Sequence, residues 1–380
     1  MSSTTSFQTE KFELPFLKNI WYVAGWSSEF VGAGPFARTI ANEAVVLYRK
    51  KDQQIAALAD RCPHRWAPLS GGRVEGDDIR CMYHGIRFRS DGSCSEVPGQ
   101  NQSAPNLCVR VYAAVEKHQL VWVWVGDPAR ADPGSIPDLS MLDEPSRRIY
   151  HSSLDYAAHY SLICDNLLDL SHIGFLHEKT AGLRVVDVAD MAAGSCYMPG
   201  GSEAKLIDRG IRVESWVSGP AARNVSLPKR VPDGDLWTRT DFLVPGIFIS
   251  VDRMYPYGMA DRCGRAPPTP DRESLSDVMS IQAVTPISRR HTRYFYSFGP
   301  RASEVDVSEG ATMWSIAMAT FAEDVRMIEA QQKIIDQHPG DQMGGIAADR
   351  GFTLYRNLVK RLSSEEALQT AALSATRASR

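Results

Sequence analysis

The sequence predicts an α+β protein in two parts: an all-β N-terminal module and a C-terminal domain whose helices cover an antiparallel sheet. Three observations carry that expectation. The chain has 380 residues, more than a usual single domain. Its texture changes near residue 130, from short β-type runs to longer strands and helical stretches. Between the two regimes stands "GDPARADPGSIPD" (126–138), rich in Pro, Gly and Asp, which reads as a linker. The boundaries that follow are 17–130 and 131–380.

In chain order, "IWYVAGW", "EAVVLYRK", "QIAALAD", "CVRVYAAVEK" and "QLVWVWVG" are β-branched and aromatic runs separated by turn residues. Past the linker, "LDYAAHYSLICDNLLDLSHIGFL" begins as a strand and turns helical near Cys164. Longer strands follow in "GIRVESWVSG", "RTDFLVPGIFISVDRMY", "SDVMSIQAVTPI" and "TRYFYSFGP". A long amphipathic helix runs through "GATMWSIAMATFAEDVRMIEAQQKIIDQ" and another covers "FTLYRNLVKRL", with fraying expected in the last dozen residues.

A formal net charge of -3 argues against nucleic acid as a partner. The strongest apolar run, "LVWVWVG", is too short to span a bilayer, so no membrane partner is expected. "MSSTTSFQTEKFELPF" has neither the cationic nor the apolar region of an export signal. Seven widely spaced cysteines in such a chain should be metal-bound or buried, in a reducing cytoplasm.

Residues 61–85 read "RCPHRWAPLSGGRVEGDDIRCMYHG". Cys62 and His64 form Cys-x-His; Cys81 and His84 form Cys-x-x-His. Two Cys with two His leave zinc and a mixed iron–sulfur cluster open. Zinc fingers usually keep the Cys pair together and the His pair together. Here each half supplies one of each, so the sulfurs can hold one iron and the nitrogens another, the asymmetric ligation of a Rieske [2Fe–2S] centre. Pro63, Pro68, Gly71, Gly72 and Gly85 suit two tight loops around it.

"CPHRWAPLSGG…CMYHG" resembles the Rieske domain of bacterial Rieske non-heme iron oxygenases, and "NIWYVAGW" and "VWVWVGDPARADP" resemble the frame of that domain in the vanillate O-demethylase and dicamba monooxygenase branch. The resemblance implies Cys62, His64, Cys81 and His84 as cluster ligands and a helix-grip catalytic domain with a mononuclear Fe(II). Respiratory Rieske proteins carry a further Cys in each loop, which this chain lacks.

"DNLLDLSHIGFLH" offers the second metal site. His172 and His177 are five apart, well off one face of a regular helix, and Gly174 between them would permit a break. Two His near a helix end are, taken alone, more often core or solvated residues. The resemblance to the family pattern, met here by Asp165, Asn166, Asp169, His172 and His177, makes the two His metal ligands and counts Asn166 and Asp169 among the catalytic residues. A two-His-one-carboxylate triad with open positions suits O2 activation.

For the carboxylate, 100° steps along "MWSIAMATFAEDVRMIEAQQ" gather Met313, Ala317, Phe321 and Ile328 into an apolar stripe, with Ile316 and Met327 on its flank. Asp324 falls near its centre and Glu323 at its edge. A carboxylate there must pair with an Arg or coordinate a metal. The stretch resembles the one bearing the family's carboxylate ligand, which assigns Asp324, with Glu323 as the fallback. Asp169 is expected beside His172 on the helix, its carboxylate accepting an imidazole N–H. The resemblance further implies a homotrimer in which His84 of one copy faces Asp169 of the next.

These readings predict the terminal oxygenase component of a multicomponent system, acting on an aromatic acid by O-demethylation or monohydroxylation. A separate reductase of flavin or ferredoxin type must supply electrons, because no Gly-x-Gly-x-x-Gly follows a strand. Ring dihydroxylation is the alternative reaction, and a Rieske electron carrier without mononuclear iron the alternative class. Arg239 and Arg253 are candidates to meet a substrate anion.

Overall fold

The computed structural model describes residues 13–100, 104–169, 172–178, 180, 204–218, 227–269, 273–341, 343–345 and 349–378. The chain divides into two compact units.

The first unit comprises Phe16–Asp143 and Thr285–Arg289. Its strands are β1 (Ile20–Trp26), β2 (Phe36–Ile40), β3 (Glu43–Arg49), β4 (Ile55–Ala59), β5 (Arg73–Glu75) and β6 (Asp78–Arg80). Then come β7 (Arg87–Phe88), β8 (Cys94–Glu96), β9 (Val111–Tyr112), β10 (Ala114–Lys117) and β11 (Leu120–Val125). They form three sheets, β1-β11-β10, β2-β3-β4-β9 and β5-β6-β7-β8. β1 and β11 pair antiparallel and are buried along their whole length, so they read as continuous apolar runs. The segment 126–138 is not a bare linker. Asp127 and Asp132 each accept a hydrogen bond from the backbone N–H two residues on, opening two 3-10 turns at Pro128–Arg130 and Pro133–Ser135. Trp21 Nε1 donates to the Asp132 carbonyl at 2.9 Å. Asp-Pro is a helix-start signal as much as a linker signal, and here tertiary contact decides.

The second unit holds Glu144–Val284 and Arg290–Arg380. Its strands are β12 (Tyr150–Tyr156), β13 (Lys205–Ile207), β14 (Gly210–Ser218), β15 (Asp235–Leu243), β16 (Ile247–Tyr255), β17 (Ser276–Ser288, whose residues from Thr285 on are counted with the first unit) and β18 (His291–Pro300). They form one sheet in the order β12-β18-β17-β16-β15-β14-β13. The helices are α1 (Tyr160–Leu168), α2 (Ile173–Leu176), α3 (Met259–Arg262), α4 (Val307–Gln337) and α5 (Arg350–Ala378). α5 continues where fraying was expected.

α4 lies against one face of the sheet: Phe321 packs on Tyr294 and Tyr296, and Trp314 on Tyr150 and Tyr296. The buried residues of α4 are Gly310, Met313, Asp324, Ile328 and Gln332. Met313, Asp324 and Ile328 are thus buried as the stripe predicts, whereas Ile316, Ala317 and Phe321 are half-buried and Met327 is exposed. The Tyr355 ring of α5 packs on Phe242, putting α5 on the even-numbered side of β15.

Candidate metal centres

The first centre is built by two loops with one hydrogen-bond pattern. After β4, Cys62 N donates to Ala67 O and Trp66 N to Cys62 O, at 2.8 and 2.9 Å. Between β6 and β7, Cys81 N donates to Ile86 O and Gly85 N to Cys81 O, also at 2.8 and 2.9 Å. The position four beyond each Cys has positive φ, 61° at Trp66 and 75° at Gly85. A Cβ on Gly85 would also meet Pro98 Cγ at 2.8 Å. Asp60 braces the first loop by accepting from Ser70 N and Oγ, and Arg80 braces the second by donating to Gly85 O at 2.6 Å.

The loops bring all four predicted residues together. Cys62 and Cys81 are buried side by side, whereas His64 and His84 are exposed, their rings 4.6 Å apart. Burial and the neighbouring Cys81 push the Cys62 thiol up to about 11. Two thiolates can share that pocket only around a cation, so the donor set fits an iron–sulfur cluster, with the sulfurs inside and the imidazoles at the surface.

The second centre lies where α1, α2 and α4 converge. α1 starts at His159, whose side chain accepts from Ser161 N, and ends at Asp169. The break therefore falls before His172 and not at Gly174. His172 and His177 bracket the single turn of α2, with ring centroids 5.2 Å apart. Both point Nε2 at Asp324 Oδ1, at 3.6 Å from His172 and 3.3 Å from His177. One donor atom from each of the three lies within 4.8 Å of the others. Among the described residues the partners of Asp324 are His172, His177 and Asn166, and none of these is an arginine. Asn166 Nδ2 donates to its Oδ1 at 3.2 Å and sits 3.4 Å from His172 Nε2. Two nitrogens and a carboxylate oxygen, 2% to 7% exposed apart from His172, fit a divalent metal with open coordination positions.

Asp169 differs from expectation. His172 Nδ1 meets its main-chain carbonyl at 2.6 Å, because Asp169 caps α1 in extended conformation and does not share a helix with His172. Glu323 was read as a fallback ligand, yet its Oε2 lies 2.9 Å from His177 Nδ1, the nitrogen turned away from Asp324. Burial works to lower the His177 pKa, but Asp324 and Glu323 outweigh it and raise it. Arg356 on α5, which holds Asp165 through Nε at 2.9 Å, carries no local signal in the sequence.

Arg253 is not available to a substrate. It donates to Asp277 Oδ2 at 2.9 Å and lies over the Trp237 ring. Strand alternation puts Arg239 on that same odd-numbered face, beside Asp241 at 3.6 Å. The face toward α4 carries instead Thr240, Ser250, Ser280, Gln282 and Tyr294.

A Rieske-type cluster fold joined to a two-His-one-carboxylate centre defines the oxygenase component of a Rieske non-heme iron oxygenase. Residues 20–114 match the Rieske [2Fe–2S] domain, and residues 156–365 match the vanillate O-demethylase oxygenase C-terminal domain. The chain is 36% identical to the toluene-4-sulfonate monooxygenase system iron–sulfur subunit of Comamonas testosteroni, over 92% of this chain and 98% of that one. It is 32% identical to a vanillate O-demethylase oxygenase subunit of Pseudomonas sp., over 96% and 100%. Dicamba monooxygenase solved with non-heme iron and dicamba superposes with a TM-score of 0.76 at 27% identity, covering 93% of this chain and 99% of that one. The chain belongs to the vanillate O-demethylase oxygenase family of Rieske oxygenases. As an oxygenase component it takes a small-molecule substrate and its electrons from a separate reductase.

Proposed function

We propose that the chain inserts one oxygen atom from O2 into a C–H bond of a methoxy or methyl carbon borne by an aromatic acid. The convergence of His172 Nε2, His177 Nε2 and Asp324 Oδ1 carries this reading. It makes those three residues the ligands of Fe(II) and Cys62, His64, Cys81 and His84 the ligands of the cluster, with Asn166 and Asp169 acting beside the iron. The relatives favour both carbon types: vanillate and dicamba demethylases on one side, toluene-4-sulfonate monooxygenases on the other.

Bound iron supplies O2 activation and the cluster supplies single electrons. The chain's own residues bind and orient. Asp169 O and Glu323 hold the imidazoles by Nδ1, and the Asn166 amide steadies Asp324 Oδ1. Tyr294, Tyr296 and Phe321 offer an aromatic wall one turn from Asp324. Thr240 and Ser250 put hydroxyls on the sheet face toward α4, so neutral groups, rather than Arg239 or Arg253, are the candidates to receive the acid group. A hydroxylated methoxy carbon collapses to a phenol and formaldehyde. The second oxygen atom leaves as water once two electrons and two protons have arrived.

The same reading makes the active assembly a homotrimer in which His84 of one copy faces Asp169 of the next. Exposure of His64 and His84 beside Trp66, Met82 and Tyr83 supports it, and light scattering on the purified protein tests it. It also sets the chain in the cytoplasm, where unpaired thiols stay reduced.

The test is a single turnover of chemically reduced, iron-loaded protein under 18O2 with methoxybenzoates, methylated aryl sulfonates and unsubstituted aromatic acids. Formaldehyde with a phenol product supports demethylation, and a labelled benzylic alcohol supports methyl hydroxylation. A doubly labelled ring diol sinks the proposal in favour of dihydroxylation.

A further inference from the structure

We propose that Glu323 is a positioning residue that fixes the His177 imidazole with Nε2 turned to the metal, a role separate from that of its neighbour Asp324. The inference rests on the His172, His177 and Asp324 reading above.

The His177 ring is 2% exposed and lies between two consecutive carboxylates. Nδ1 is 2.9 Å from Glu323 Oε2, and Nε2 is 3.3 Å from Asp324 Oδ1. A neutral imidazole has one N–H, and a metal takes the nitrogen that lacks it. An ionised Glu323 can only accept, so a neutral His177 held there carries its proton on Nδ1 and leaves Nε2 available to a metal beside Asp324 and His172. His172 meets the same requirement with a main-chain acceptor, the Asp169 carbonyl at 2.6 Å. Each imidazole is thus anchored at Nδ1, by backbone in one case and by a side chain in the other.

Glu323 is itself held in place. Thr180 Oγ1 donates to the same Oε2 at 2.7 Å. On its far side Glu323 lines a surface cavity of about 410 Å³ with Phe175, Leu176 and Met327. Consecutive helix residues diverge by about 100°, so α4 cannot aim both carboxylates at one point. Asp324 takes the interior direction and Glu323 the outer one. Ligation by Glu323 would require His177 to turn over and give up its present partners on both nitrogens.

The test uses the full chain with its cluster in place. Fe(II) affinity is measured anaerobically against a competing chelator, cluster absorption giving the folded-chain concentration and thermal unfolding run alongside. Glu323→Ala is expected to weaken Fe(II) binding roughly 10- to 100-fold with cluster absorption unchanged. Glu323→Gln, whose amide oxygen still accepts from Nδ1, is expected to stay within a few-fold of wild type. Thr180→Val leaves the carboxylate but frees it, is expected to cost a few-fold, and carries the test if the alanine variant does not fold. Wild-type affinity in Glu323→Ala or Thr180→Val overturns the inference, as does an equal loss in Gln and Ala. A wild-type chain that holds cluster but no ferrous iron overturns both this inference and the reading beneath it.

Discussion

A carboxylate 5% exposed in an apolar helix stripe requires a cation, and Asp324 faces two imidazoles and an amide N–H. Asp324→Asn keeps the shape and removes the charge. Mononuclear iron per cluster should fall and product formation drop by about 100-fold or more, beyond what loss of an outer partner costs. The cluster absorption should stay intact; an Asn variant with full iron and full turnover would remove Asp324 from the site. In the other centre, Gly85 occupies a left-handed position against Pro98. Gly85→Ala adds about 1 kcal/mol of backbone strain and a clash on top of it, so cluster occupancy in purified protein should fall. Trp66 bears the same backbone strain at the equivalent position, but its side chain lies at the surface, 70% exposed, with Arg61 over its ring.

Among the elements, α1 matters most because it carries Asn166 and ends at the carbonyl that anchors His172. Arg356 of α5 ties it down by gripping Asp165 through Nε at 2.9 and 3.1 Å, and Tyr355 beside it donates to the Pro245 carbonyl. Arg356→Met should destabilise the second unit by about 3 kcal/mol, since it strands a part-buried carboxylate. The double change with Asp165→Leu should recover much of that loss, as read by denaturant unfolding; equal losses in single and double variants would show that a stranded carboxylate is not the cause. This layer was not legible in the sequence. Cys62, His64, Cys81 and His84 announce themselves because all four stand within a short span; a period of 3.6 put Asp324 in an apolar stripe, and the family resemblance then chose a metal over an Arg partner for it. Arg356 and Glu323 act through partners 191 and 146 residues away, which no local pattern encodes. The same limit made 126–138 read as a linker and placed the helix break at Gly174, since caps look alike until their partners are known.

For the whole molecule, two kinds of centre imply two kinds of lability. Cys62 and Cys81 are buried, while the second centre offers two imidazoles and one carboxylate. A mild ferrous chelator should strip turnover while leaving the cluster spectrum, and Fe(II) should restore it; joint loss of both signals would contradict separate sites. Acid should act elsewhere. Burial alone would raise the Asp277 carboxyl, but Arg147, Arg253 and Arg301 outweigh it and hold it below the usual carboxylate range. A folded value below the unfolded one means that this contribution is complete above about pH 4 and is lost as pH falls through the folded value. Wild type should therefore lose unfolding free energy more steeply than Asp277→Asn as pH falls below about 4. Parallel slopes would show that Asp277 is not the acid-sensitive group.

The back-to-back placement of Glu323 and Asp324 also sets a rule for how this chain can change length. α4 enters from Asp306, whose side chain accepts from Glu309 N, and runs to both carboxylates without interruption. Adding or deleting one residue between that cap and Glu323 would turn the pair by about 100° and carry both oxygens off His177. A change of about seven or about eleven residues, close to two or three full turns, is needed to return them near phase. The loops between strands can drift in length, but this helix keeps count.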